Sequence, residues 1–446
     1  MLAISTLCVD PAIATPVQKA RSCQGSGRVY SSDLVNSALL SGPWHTVAPC
    51  ARIQGHLAHF DIQTSFGPLE ADGVEMLAVR VEEMAAVNAL EQLGHAEAFA
   101  GAMAAGAELR ARRLGRIAMN PVDTVKEMPG GVVRYLSQTY DSAADTAQNV
   151  ADRIAHRTTE VGDPYRSAAP PIAPETAALP QPWYARTATR AERAALHWIG
   201  YYRTRRALAE RVAVDPYSTN PLLKERLDSL ARAAFTGDKA LGLALDLLGS
   251  AAGQTLSLSA RVDKTVWQLE PAEVSRRNRE RLGAYDCPDE EVRGFLLRGK
   301  FSPTLETAFV DAYVALAPEA GCADLLLLAS YVRNEIEARY LVNLMNLLVT
   351  ERRGESGGRI VLVDTGVALD VGTKGRPSLL LPLPVDRLGW NETTARFFAA
   401  SEFAIADKTA LIAGGTTASA ARALARSGWS VVEHVRYEGG PAYAWR

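Results

Sequence analysis

"TALIAGGTTASAARALARSGWSVVEHV", residues 409–435, has the order strand, double glycine, helix, strand. The apolar run before the glycines predicts a strand, and the alanine-rich segment after them predicts a helix that ends at Gly428. Free amide groups at a helix N-terminus favour a bound anion. The sequence therefore indicates one candidate anion site, formed by Gly414, Gly415, Thr416 and Thr417.

The same turn has a simpler interpretation. Neither G-x-G-x-x-G nor G-x-x-x-x-G-K-[ST], the two glycine-rich patterns that hold nucleotide phosphates, occurs in it. In this interpretation the glycines let the chain turn, Thr416 or Thr417 caps the helix, and Trp429 packs the last strand. We favour this scaffolding role and keep anion binding as the alternative.

Residues 353–446 are predicted to form a small α/β domain around this stretch. "RIVLVDTGVALDVGTKGRPSLLLPLPVD", residues 359–386, contains two apolar strands joined by a glycine-bearing turn. Its D-T-G at residues 364–366 matches the loop of aspartic proteases, but that chemistry needs two carboxylates that share a proton, and the chain has one D-T-G. We interpret it as a hairpin turn. The ligand-binding alternative places Asp364 or Asp386 beside the anion.

Residues 186–352 are predicted to form a helical bundle. Prolines at the first helical position mark successive helix starts, as in "TNPLLKERL" and "LEPAEVSRR". The preceding segment "TTEVGDPYRSAAPPIAPETAALPQPWYA", residues 158–185, is rich in proline and poor in large apolar residues. It is predicted to be a linker between domains.

Residues 46–157 are predicted to form a β-hairpin followed by helices. "RIQGHLAHFDIQTS", residues 52–65, alternates apolar and polar side chains as a half-buried strand does. Residues 15–45 are rich in Ser, Gly and polar residues and are predicted to be poorly ordered. The whole chain is thus predicted to be mainly α (α+β), with an N-terminal β-hairpin plus helices, a central helical bundle and a small C-terminal α/β domain.

The N-terminal segment and the cysteines predict export. Residues 1–14, "MLAISTLCVDPAIA", combine a short apolar run with an A-x-A pattern, and we interpret them as a truncated signal peptide, with a disordered N-terminus as the alternative. Spacing alone does not choose among the pairings of the four cysteines that follow, which are Cys23, Cys50, Cys287 and Cys322. Cys23 with Cys50 is the first candidate disulfide, because both flank one loop-rich segment. Cys322 has the alternative of a buried thiol.

Charge and composition limit the classes of partner. The 446 residues carry 48 basic and 50 acidic side chains, and this formal net charge of -2 favours neither nucleic acid nor an anionic membrane. Arginine-rich segments at 110–116, 197–206 and 275–281 are interpreted as solvated or ion-paired helix faces. We predict no nucleic-acid binding and no transmembrane segment. Protein partners and a peripheral association with the cell envelope remain.

The sequence contains no complete catalytic constellation. His56 and His59 form an H-x-x-H pair, but an odd separation on a strand places them on opposite faces, so we predict no metal site. A G-x-S-x-G nucleophile elbow and a cysteine in a protease context are both missing. No catalytic residue and no cofactor is predicted.

Several segments carry a family resemblance: "RIQGHLAHFDIQTSFGPLEADGVEMLAVRVEEMAAV", "NPVDTVKEMPGGVVRYL", "VDPYSTNPLLKERLDSLA", "LLPLPVDRLGW" and "ALARSGW". In this order, over most of residues 45–430, the chain resembles a family of uncharacterised bacterial proteins, many of which look exported. The resemblance implies an envelope location and a shared architecture. It implies no reaction and no catalytic residue.

Together these observations predict a non-catalytic exported protein, periplasmic or in the cell envelope, that acts through protein-protein interaction. The alternative is an enzyme or small-ligand binder that uses the anion site of the C-terminal domain. A cytoplasmic location is the alternative to export.

Overall fold

The computed structural model describes residues 23, 27–107, 201–235, 264–285, 287–298, 300–353, 355, 357–363, 366–373, 375–404, 407–441 and 443–444. The predicted signal peptide, the Pro-rich linker and the arginine cluster at 110–116 lie outside these residues, as do Asp364 and Thr365.

The N-terminal part has six strands, with two short helices between the first and second: β1 (Arg28–Tyr30), α1 (Ser31–Leu34), α2 (Ser37–Leu40), β2 (Ser41–Gly42), β3 (His45–Val47), β4 (Cys50–Gln54), β5 (Leu57–Thr64) and β6 (Gly67–Asp72). The strands form one antiparallel sheet in the order β1-β4-β5-β3-β2, with β6 paired to β5. The alternation in β5 buries Ala58, Phe60 and Ile62 against the helices. Residues 15–45 were predicted to be poorly ordered, but within that segment the structure has β1, α1, α2, β2 and the start of β3.

A long helix follows the sheet and packs on a second one. These are α3 (Val74–Ala107) and α5 (Pro221–Phe235); between them in the sequence, residues 201–211 form α4. Leu77, Leu90 and Leu227 are buried in the core that the three helices share with the sheet.

The central helices form a second core. They are α6 (Lys264–Gln268), α7 (Pro271–Gly283), α8 (Asp289–Arg298), α9 (Pro303–Leu316), α10 (Cys322–Ser330) and α11 (Glu335–Arg352). Pro271 and Pro303 begin helices, as the sequence predicts, and Ser302 caps α9 by accepting from the Leu305 N–H. Tyr313 and Phe309 are buried at its centre.

The elements of the C-terminal part are β7 (Arg359–Val363), β8 (Gly366–Asp370), β9 (Ser378–Leu383), β10 (Arg387–Leu388), α12 (Glu392–Phe398), β11 (Asp407–Ile412), β12 (Gly415–Thr416), α13 (Ala418–Arg426) and β13 (Ser430–Val432), and a 3₁₀ turn spans Ser401–Phe403. Five of these strands form a mixed sheet in the order β13-β11-β9-β8-β7. β8 is antiparallel to both of its neighbours, β7 and β9, whereas β9, β11 and β13 are parallel. β10 and β12 pair as a separate parallel ribbon.

The prediction of a mainly helical protein is wrong: helices cover 51% and strands 23% of the described residues, which makes this an α+β fold. β1, β2 and β3 span only two or three residues each, too few to show an alternating pattern in the sequence. Their pairing with β4 and β5 defines them.

Residues from later parts of the sequence also pack in the N-terminal core. The N-terminal core also buries Leu347 of α11, Ala413 and Tyr443. Among the described residues, no helix combines the length and the apolar character needed to cross a membrane.

Candidate functional site

Asp386 lies where β9 has ended and the chain turns into β10, and it is 2% exposed. One carboxylate oxygen, Oδ2, accepts the Ala58 N–H at 2.8 Å, and the Val74 N–H lies 3.2 Å from both oxygens. The Tyr443 hydroxyl donates to Oδ1 at 3.0 Å. Burial raises the pKa of Asp386 to about 6, although these three donors oppose the shift. One buried acid thus joins β5, the start of α3 and the C-terminal segment in a junction formed by Asp386, Ala58, Val74 and Tyr443.

Glu75, the second residue of α3, forms the adjoining group. It pairs with Arg339 of α11 at 3.2 Å and accepts from the Asn343 side-chain amide. Arg339 also binds Glu335 at 2.7 Å. Burial alone would lower the pKa of the Arg339 guanidinium, but Glu75 and Glu335 raise it overall, so the cation is retained between two helices.

A narrow cleft of about 30 Å³ runs between these groups. Its wall includes Asp72, Glu75, Arg339, Asn343, Asp386 and Tyr443. A cleft of this size holds a few water molecules. An acid with a pKa of about 6 can exchange protons near neutral pH, but both oxygens of Asp386 already accept hydrogen bonds. The arrangement therefore favours holding three parts of the chain together.

A second buried polar cluster lies beside the one formed by Glu75, Arg339 and Glu335, and the Thr219 hydroxyl connects the two by donating to Glu335. Glu83 of α3 binds Arg80 at 3.2 Å and accepts from the Asn220 amide at 2.9 Å and from the Ser218 hydroxyl. The Arg80 guanidinium also donates to Thr219 at 2.6 Å. The segment "VDPYSTNP", residues 214–221, is thereby fixed to α3 through the buried side chains of Ser218 and Asn220 and through the exposed Thr219.

Asp215 in the same loop binds the central helices. It accepts from the Tyr217 N–H at 2.8 Å and from the Thr304 hydroxyl at 2.7 Å. Burial raises its pKa. These residues were not predicted from the sequence; the only sequence signal for them is the density of turn-forming and hydroxyl side chains in "DPYSTN", residues 215–220.

The turn that was the candidate anion site is occupied by the protein's own acceptors. The amides of Gly414, Gly415 and Thr417 donate to the carbonyls of Val385, Asp386 and Leu388, and the Thr416 amide donates to the Glu433 carboxylate. The Thr417 hydroxyl caps α13 by accepting from the Ala420 N–H at 3.3 Å. An incoming anion would have to displace these acceptors, so the geometry supports the scaffolding interpretation.

The predicted acidic neighbours of that turn are arranged differently. Asp386 reaches Gly415 through its backbone carbonyl, while its carboxylate contacts Ala58, Val74 and Tyr443. Asp364 lies outside the described residues.

The two histidines of H-x-x-H are held apart. His56 occupies the β4–β5 turn with φ 72°, its backbone carbonyl accepts the Asp386 and Arg387 N–H groups, and its Nδ1 accepts the Gly389 N–H at 3.1 Å. Burial lowers its pKa. His59 lies on β5, where its Nδ1 is 2.6 Å from Asp72. The pair does not converge on one position.

All four described cysteines are in disulfides. Cys23 is bonded to Cys50 of β4, and Cys287, just before α8, is bonded to Cys322 at the start of α10. Their Cα–Cα distances of 5.6 and 5.4 Å are usual for a disulfide. Cys322 is therefore no buried free thiol, and each bond ties segments that are far apart in the sequence.

Arginines of two predicted clusters are ion-paired. Arg205 and Arg206 of α4 bind Asp228 and Glu270. In the cluster at 275–281, Arg279 binds Asp289 at 3.0 Å and Arg281 binds Asp311. These guanidinium groups connect neighbouring helices.

Similarity to known proteins would give independent evidence on the site. Comparison with protein-family models, with curated proteins and with solved structures finds no match to this chain. The junction around Asp386 and the two disulfides are therefore interpreted from the contacts of this chain alone.

Proposed function

We propose that this is an exported protein of the periplasm or cell envelope that acts by binding other proteins and catalyses no reaction. The resemblance of its sequence to probably exported bacterial proteins supports the location. A cytoplasmic location is the alternative.

Two disulfides support export. Such bonds persist in oxidising compartments and are rare in the cytosol of most organisms. Cys287–Cys322 joins two helices of the central core, and Cys23–Cys50 fastens the segment before β1 to β4. Neither pair has the C-x-x-C spacing of redox enzymes, which favours a structural role for both.

The single observation that best supports a non-catalytic protein is the hydrogen bonding of the Asp386 carboxylate. Asp386 is the buried acid with a strongly raised pKa at the cleft, the kind of group expected in an active site. Yet its two oxygens receive hydrogen bonds from Ala58, Val74 and Tyr443. Glu75 beside it is likewise paired with Arg339.

Two features support protein binding. The sequence "GHAEAFAGAMAAGA", residues 94–107, is rich in small residues, a composition that is typical of closely packed helix pairs. At the end of α10, Leu327 is 47% exposed and Tyr331 is 45% exposed. Because they are four residues apart at the end of one helix, the two side chains lie on the same face, and we infer that this exposed apolar face contacts a partner.

The test is localisation together with site-specific photo-crosslinking in the native cell. A photo-reactive residue replaces Leu327 in one variant and Glu280, an exposed residue of α7, in the control. We expect the protein in the envelope fraction with its four described cysteines resistant to alkylation, and one discrete crosslinked band from position 327 alone. A cytosolic protein with reactive thiols would refute export, and identical patterns from both positions would refute a contact surface at Leu327.

A second candidate is an enzyme or small-ligand binder that uses the anion site at Gly414, Gly415, Thr416 and Thr417. Thermal unfolding of the full chain with inorganic phosphate and with nucleotides tests this candidate. A saturable rise in the melting temperature that is lost in Gly414→Ala would support ligand binding at this turn. An unchanged melting temperature with every compound would remove this candidate.

A further inference from the structure

The strand register collects four polar side chains on one face of the first sheet. His59 and Asp61 are two residues apart on β5 and so lie on the same face. β6 places Asp72 opposite His59 and Glu70 opposite Asp61. One imidazole and three carboxylates thus meet on two paired strands, whose backbone hydrogen bonds hold them in position.

The separations within this group fit a bound ion better than direct hydrogen bonds. The His59 Nε2 is 3.8 Å from Asp61 Oδ1 and 3.9 Å from Glu70 Oε2, and all three ligand atoms lie within 4.8 Å of one another. Distances of this length exceed those of hydrogen bonds. Zinc–nitrogen and zinc–oxygen bonds of about 2.0–2.2 Å at tetrahedral angles place ligand atoms about 3.3–3.6 Å apart. Small movements of the exposed Asp61 and Glu70 side chains would therefore close these atoms around an ion.

The histidine is oriented for this role independently of the two exposed acids. Its side chain is 12% exposed, and its Nδ1 lies 2.6 Å from Asp72 Oδ1. Because an ionised carboxylate only accepts, Nδ1 carries a proton, and in the neutral imidazole Nε2 then presents its lone pair toward Asp61 and Glu70. Within the described part of the chain, Nε2 has no hydrogen-bond partner. Metal-binding histidines commonly bond a carboxylate through their second nitrogen in this way.

We propose that His59, Asp61 and Glu70 bind a divalent transition-metal ion, for which Zn²⁺ is the best match, and that Asp72 is a positioning residue for His59. Solvent takes the fourth position of a tetrahedral site. This site is independent of the function proposed above. The side chains of Asp61 and Glu70 are 52% and 73% exposed, which gives an ion free access.

Cross-strand ion pairing is the rival explanation for the same residues. Arg52 on β4 lies opposite His59, and its guanidinium is 4.0 Å from Asp61. That separation is at the limit of an ion pair, and both side chains are about half exposed, so the contact contributes little. It leaves Glu70 and the His59 Nε2 available to a metal ion.

Calorimetric titration of the metal-stripped, tag-free full chain with Zn²⁺ tests the proposal. We expect a binding event that disappears in His59→Ala and in Glu70→Gln. Asp72→Asn should weaken it by about 10- to 100-fold. Co²⁺ in place of Zn²⁺ should give visible absorption bands of a four-coordinate site in the wild type and lose them in His59→Ala.

Asp33→Asn, at an exposed acid of α1, is the charge-matched control and should bind Zn²⁺ like the wild type. Melting temperatures measured without metal show whether each variant is folded. Zinc that binds elsewhere on the chain persists in His59→Ala and is thereby separated from this site. Equal affinity in the wild type, His59→Ala and Glu70→Gln, or no binding up to millimolar Zn²⁺, would overturn the proposal.

Discussion

Asp386 caps the helix that begins at Val74: its carboxylate lies 3.2 Å from the Val74 N–H, although 312 residues separate the two in the sequence. The first amides of a helix have no acceptor within the helix, and a carboxylate there also interacts favourably with the helix dipole. The same acid accepts from Ala58 and Tyr443. The N-terminal sheet, α3 and the C-terminal domain are thus coupled through one side chain.

We expect Asp386→Ala to lower the free energy of unfolding by about 3 kcal/mol, because it leaves buried donors without an acceptor. Urea denaturation at neutral pH measures this loss. Asp407→Asn, at an exposed acid at the start of β11, is the control and should change stability by less than about 0.5 kcal/mol. If the two variants were equally stable, Asp386 would not hold the junction together.

Glu306 of α9 predicts a specific pH dependence of stability. It is buried, accepts from Asn278 at 2.8 Å and from Ser275 at 3.1 Å, and burial raises its pKa from 4.5 to about 7. Since the folded state holds the proton more tightly than the unfolded state, its contribution is complete below pH 4.5 and is lost as pH rises through about 7. A shift of this size corresponds to about 3 kcal/mol.

Glu306→Gln remains neutral and should lose this part of the pH dependence. We expect the wild type to lose stability relative to Glu306→Gln between pH 4.5 and about 7, measured by urea denaturation at several pH values. The raised pKa of Asp386 has the same effect on stability in the wild type and in Glu306→Gln. The difference in stability between these two proteins therefore reports the contribution of Glu306 alone. Glu280→Gln, on the exposed face of α7, should follow the wild type. A constant difference across this range would contradict the assignment.

The disulfides should contribute to stability mainly through the loops that they close. Cys287–Cys322 spans 35 residues and Cys23–Cys50 spans 27. In the chain-entropy model, loops of this length correspond to about 3–4 kcal/mol each. Cys287→Ser with Cys322→Ser, and separately Cys23→Ser with Cys50→Ser, should each lower the melting temperature. Mass spectrometry of a non-reduced digest checks the pairing, and a linked Cys50–Cys322 peptide would contradict it.

Local features of the fold could be predicted from the sequence. Pro271 and Pro303 mark helix starts because proline loses no hydrogen bond there, and the alternation in β5 identifies its buried face. The order of β11, the turn at Gly414 and α13 follows from a double glycine between apolar and alanine-rich segments. Each of these features depends on residues within one or two turns of chain.

The junction around Asp386 and the proposed metal site at His59, Asp61 and Glu70 could not be predicted in this way. Asp386 and Val74 meet only after the C-terminal domain packs on the first sheet, and no spacing in the sequence records that contact. His59, Asp61 and Glu70 meet through the register of β5 with β6, and a search for paired histidines cannot find such a group. Residue types alone predicted neither group, because tertiary packing and strand pairing determine which side chains meet.

Gly414→Ala tests why the double glycine is present. A Cβ at Gly414 would lie 2.0 Å from the Asp386 carbonyl oxygen and 2.6 Å from that of Val385, and backbone atoms cannot move aside as a flexible side chain can. We expect a loss of about 3 kcal/mol or more, measured by thermal and urea unfolding. Gly294→Ala in α8 is the control: a Cβ there meets no described atom within 4 Å, and alanine should raise stability by up to about 1 kcal/mol.

Phosphate titration of the same variants separates the two interpretations of the turn. If Gly414 is present for close packing against Asp386, Gly414→Ala loses stability and phosphate stabilises neither the variant nor the wild type. If the glycine instead serves an anion, Gly414→Ala keeps its melting temperature and loses a phosphate-dependent stabilisation that the wild type shows. The backbone contacts at Gly414, Gly415 and Thr417 lead us to expect the first result, because their amides already donate to the carbonyls of the neighbouring segment.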